Sequence, residues 1–75
     1  MSRSIRQLMV CLKNDDYGAS LERRKIYVCL PDQVASEHGL VRIIDESGED
    51  YLYPKGLFAA VELPTPVRRA MLTTA

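Results

Sequence analysis

The chain has 75 residues, with ten Lys/Arg against ten Asp/Glu and a formal net charge of zero. That length allows a single domain, residues 1–75, with a small core and few kcal/mol to spare. The neutral balance argues against a dedicated nucleic-acid binder, and no apolar run approaches the ~20 residues of a membrane helix. Charge is uneven along the chain: residues 1–30 carry +3, residues 31–64 carry −5 and the remainder +2. The first apolar run, Leu8–Leu12, is too short for a signal h-region and has no small-residue cleavage site after it, so the expected location is the cytoplasm.

Arg6–Lys13 is a strand candidate, because Leu8, Val10 and Leu12 alternate with Met9 and Cys11 and make both faces apolar. Asn14–Ser20 is turn chemistry, with Tyr17 as a large aromatic inside it. Ile26–Cys29 is strongly β-prone and forms a second strand that Pro31 stops. Asp32 is placed to cap one helical turn over Val34–His38, with Gly39 just past its end. Leu40–Asp45 and Asp50–Tyr53 read as a hairpin around Ser47-Gly48, with Asp45, Glu46, Glu49 and Asp50 crowding its tip. Lys55–Phe58 suits a 3₁₀ turn and Ala59–Leu63 a last strand. Thr65-Pro66 then opens a short C-terminal helix, about residues 66–73. Five short antiparallel strands over about residues 6–63 fit an all-β barrel or half-barrel.

The order of parts in YLYPKGLFAAVEL resembles the end of an SH3-like barrel: a hairpin strand, a Pro, a single 3₁₀ turn bearing an aromatic, and a last strand. The phrase KIYVCLPD…GLVRIIDESGEDYLYP…F is similar to a group of small uncharacterised bacterial proteins with an SH3-like barrel. The resemblance spans roughly residues 8–63 and implies a five-stranded SH3-like small barrel with a short C-terminal helix, and no particular activity. The chain has no Trp, the residue that walls the groove of proline-peptide-binding SH3 domains.

The sites follow from residue type. Tyr17, Tyr51, Tyr53, Pro54 and Phe58 are the expected protein-binding surface; Tyr51 and Tyr53 share a face, so this surface requires Leu52 to point into the core. Arg23, Arg24 and Lys25 are the candidate nucleic-acid contacts, with Arg68 and Arg69 as further cations. Cys11 and Cys29 are expected as buried thiols rather than a disulfide or redox pair. Two thiols and the lone His38 fall short of a zinc site, and DESGED lacks calcium-loop spacing, so no metal or cofactor is expected. No Ser/His/Asp order or phosphate loop is present, which argues against an enzyme. The functional expectation is a small cytoplasmic interaction or regulatory module, homo-oligomeric, acting on a protein partner. A nucleic-acid-binding barrel is the alternative.

Overall fold

A computed structural model describes residues 6–73. The described chain runs β1 (Gln7–Cys11), β2 (Ile26–Leu30), α1 (Gln33–Glu37), β3 (Leu40–Ile44), β4 (Asp50–Pro54), a 3₁₀ turn (Lys55–Leu57), β5 (Phe58–Val61) and α2 (Thr65–Thr73). The strands form one antiparallel sheet in the order β4-β3-β2-β1-β5. The last strand therefore returns beside the first, and β4 and β5 are the two edges. The predicted elements all form, with ends shifted by a residue or two: Phe58 opens β5 instead of closing the 3₁₀ turn, and α2 begins at Thr65.

Local chemistry sets the turns. Asp32 caps α1 by accepting from the Ala35 N–H (2.9 Å), and Gly39 takes φ +73° just beyond His38, where a side chain would be strained. At the β3–β4 tip the Gly48 N–H donates to the Asp45 carbonyl (2.9 Å), and the Asp45 N–H donates to the Glu49 carbonyl (3.1 Å). This is a type I turn followed by a left-handed residue, and Gly48 supplies the required φ of +86°. Between β1 and β2 the ladder ends in a bulge. The Arg24 N–H donates to the Cys11 carbonyl, while the Cys11 N–H donates to the Lys25 carbonyl, so two residues oppose one. Arg24 occupies the left-handed position of that bulge, φ +69°, which glycine fills most cheaply.

Alternation sorts the sheet into two faces. Met9, Cys11, Tyr27, Cys29, Ile43, Tyr53 and Phe58 point inward and, with Leu21, make the core. Tyr53 lies on one edge strand and Phe58 on the other, yet their ring centroids are 6.2 Å apart. Side chains from both edge strands thus share one core, and the curled sheet is consistent with a small barrel-like fold. The 3₁₀ turn holds that curl: the Lys55 N–H donates to the Gly39 carbonyl, and the Leu57 carbonyl accepts from the Leu12 and Lys13 N–H groups. On the outer face Leu8 is only 2% exposed, although it points away from the core. It is covered from the α2 side, where Arg68 donates to the Arg6 carbonyl (2.7 Å) and Met71 borders a hollow with Ile26, Val28 and Ile44. Met71 of α2 therefore lies beside the outer face, while Val67 stays 45% exposed.

Candidate functional site

Two regions of the molecule gather polar side chains around apolar ones. The first joins the β3–β4 tip to the β1–β2 loop. Odd-numbered positions in β3 face inward, and the parity carries past Val41 and Ile43 to Asp45, which is 6% exposed. Its Oδ2 accepts from the Tyr53 hydroxyl (2.6 Å), and its Oδ1 accepts from the Ser47 N–H (2.9 Å) and the Ser47 hydroxyl (2.6 Å). Burial pushes the Asp45 pKa up, but these donors outweigh it and hold the carboxyl below the usual carboxylate range. The Tyr53 hydroxyl also bonds Ser20 Oγ (2.9 Å), and the Ser20 carbonyl accepts from the Glu46 N–H (3.1 Å). Tyr17 packs edge-on to Tyr53, with centroids 5.0 Å apart.

Beside it, Tyr27 accepts from the Glu22 N–H (2.7 Å) and donates to Glu46 Oε2 (2.6 Å), which also pairs with the Lys25 ammonium. Lys25 and Tyr27 hold the Glu46 carboxyl below its ordinary range. Burial, reinforced by Glu46, pushes the Tyr27 phenol well above its ordinary value. Every bond here satisfies a group of the chain itself. The network is a clasp between two loops.

This geometry corrects the expected aromatic surface. Tyr53 is 4% exposed and Phe58 6%, because they share the inner face with Ile43 and Cys11, whereas Leu52 is 42% exposed. The structure therefore divides that surface. Tyr53 and Phe58 are core, Tyr17 is half-buried against them, and Tyr51 and Pro54 remain exposed. The basic run divides as well. Arg23 and Arg24 are exposed, but Lys25 is committed to Glu46 and lies over the Tyr27 ring. Cys11 and Cys29 are free and buried. The register sets Cys29 opposite Gln7, which leaves Cys11 four residues further along the ladder, ~13 Å away and beyond disulfide reach. Burial raises both thiol pKa values, which keeps them neutral.

The second region is a groove of about 380 Å³ between α1 and the sheet. Met9, Cys29 and Val41 form its apolar floor, and Gln7, Gln33 and Ser36 stand at its rim. One wall is fixed by Arg42, whose Nε donates to Asp32 (2.8 Å), the same carboxylate that caps α1, and whose NH1 donates to Asp50 (2.9 Å). Arg42 is thus spent on ordering the wall. By contrast, among the described residues the side chains of Gln7, Gln33 and Ser36 bond no other part of the chain.

Reading residue types in isolation misses these rim residues, because amides and a serine on a short helix carry no chemical signature. The pairing of the capping Asp32 with Arg42, which pins α1 beside the sheet, is visible only in the folded chain. Comparison with protein-family models, curated proteins and solved structures finds no match to this chain. Among the described residues no helix is long and apolar enough to cross a membrane.

Proposed function

We propose that the chain is a small protein-interaction module on an SH3-like barrel, which takes a short segment of a partner protein into the groove beside α1. The strand order and the 3₁₀ turn between β4 and β5 support the barrel reading, because they reproduce the order of parts to which the sequence is similar. The observation that carries the functional reading is the groove itself: an apolar floor ringed by Gln7, Gln33 and Ser36, whose donors and acceptors are uncommitted. Amide side chains of this kind pair with a peptide backbone while an apolar side chain of the partner fills the floor. The chemistry suits binding rather than turnover, since Cys29, the nucleophile at the floor, is held neutral by burial.

The ligand is a largely apolar segment, because the groove's Arg42 is already paired and Lys55 is the single uncommitted charge on its described lining. Binding should therefore vary little with salt, whereas a nucleic-acid complex through Arg23 and Arg24 would weaken steeply. The test is capture of partners from native lysate on wild-type protein and on Ser36→Trp, which fills the groove from an exposed helical position. A protein retained by wild type at low and moderate salt, and lost with the variant, is the expected result. Capture abolished by nuclease or by moderate salt, or capture indifferent to Ser36→Trp, would overturn the reading.

A further inference from the structure

The two edges of the sheet are not equally finished. On β5 the Phe58 N–H, which points away from β1, already donates to the Lys55 carbonyl. On β4 the parity is fixed by the Asp45–Glu49 and Gly39–Lys55 backbone bonds, which put Tyr51 and Tyr53 in bonding register with β3. The N–H and C=O groups of Asp50 and Leu52, and the Pro54 carbonyl, therefore point outward from the edge. No other segment of the described chain takes them up. Leu52 and Tyr51 beside them are 42% and 50% exposed. An open edge with exposed apolar side chains is a template for another strand.

We infer that β4 pairs with β4 of a second copy of this chain, antiparallel about a two-fold axis through Leu52. The sequence of the edge is self-complementary in that register and in no neighbouring one. With Leu52 opposite the partner's Leu52, the two leucines exchange backbone bonds and pack on the outer face. The Asp50 N–H donates to the carbonyl of the partner's Pro54, so Pro54 stands where only an acceptor is required. Tyr51, half exposed, falls opposite the partner's Tyr53 position on the inner face, where it lies beside the strand rather than against the buried Tyr53 ring. Glu49 falls opposite the partner's Lys55, and the symmetry repeats this ion pair. Both groups are available for it: Lys55 makes no ion pair among the described residues, and the Glu49 carboxylate accepts only from the Tyr51 hydroxyl, through one oxygen. Sliding the register one way sets Asp50 opposite Leu52 and loses the ion pairs. Sliding it further sets Asp50 against the partner's Asp50. Sliding it the other way sets Lys55 opposite Tyr51. The isologous contact closes after two copies. It uses the sheet edge rather than the groove floor and does not rest on the proposed groove ligand, although Lys55 borders both.

Sedimentation velocity over a concentration series tests this on the full chain, with circular dichroism as the folding control. Wild type is expected to dimerise, Glu49→Lys to raise the dimer dissociation constant about tenfold or more, and Glu49→Lys combined with Lys55→Glu to restore it. Leu52→Cys should give a covalent dimer on mild oxidation, since directly bonded antiparallel partners lie ~5.5 Å apart at Cα. A wild type that stays monomeric throughout, a dimer indifferent to the charge reversal, or larger ring-like assemblies would each overturn the inference.

Discussion

Around the β3–β4 tip the carboxylates and hydroxyls are matched within the chain, whereas around the groove beside α1 the rim side chains have no internal partner. Asp45 takes three donors and Glu46 takes Lys25 and Tyr27, so substitution in the tip costs folding energy. Gln7, Gln33 and Ser36 contribute nothing comparable to the fold. The difference teaches that a crowd of chemistry-bearing side chains is a poor guide to function when each has its partner at home. The quieter region, with an ordered wall and unspent polar groups, is the better candidate for a ligand.

Breaking the tip should produce the largest effects. Tyr53→Ala removes a core ring that touches both Tyr17 and Phe58, and ~3–5 kcal/mol lost from a chain this small should leave it largely unfolded in a urea titration. Tyr53→Phe keeps the ring and removes one donor from buried Asp45, at a cost of ~1–3 kcal/mol, read as a lower urea midpoint with unchanged slope.

The pH dependence follows from the same contacts. The Asp45 and Glu46 pKa values are depressed in the folded state, so their contribution is complete above the unfolded carboxylate range, near pH ~4, and is lost as pH falls through the folded values. Asp45→Asn should lower stability at neutral pH and flatten the acid limb of the stability curve. Arg24→Gly should act in the opposite direction. It relieves the left-handed bulge position and raises stability by up to ~1 kcal/mol, and its thermal midpoint tests whether the arginine is kept at a cost. The smallest effect belongs to the groove: Gln33→Ala should leave stability within ~0.5 kcal/mol of wild type in the same titration.

Much of the fold was legible in the sequence because local rules and tertiary packing agree there. Asp32 and Gly39 announced α1, Gly48 announced the hairpin, and Pro31 ended β2. The placement of the aromatics was not legible in the same way. Alternation puts Tyr51 and Tyr53 on one face and Leu52 on the other, but it does not say which face is the core. Extending the alternation to Asp45 would have suggested a solvated face, because a buried carboxylate is unusual. Only the Tyr53 and Ser47 donors make it tolerable, and they reach Asp45 through the folded hairpin. The groove was illegible for a different reason, since its floor collects Met9, Cys29 and Val41 from three separate strands.

The most direct measurement compares partner capture by two folded variants at matched concentration and salt, one from each region. Ser36→Trp should keep the wild-type urea midpoint and lose the protein partner, while Tyr53→Phe should lose stability and keep the partner. A Ser36→Trp protein that still binds, beside a folded Tyr53→Phe protein that does not, would contradict the account and return the function to the aromatic tip.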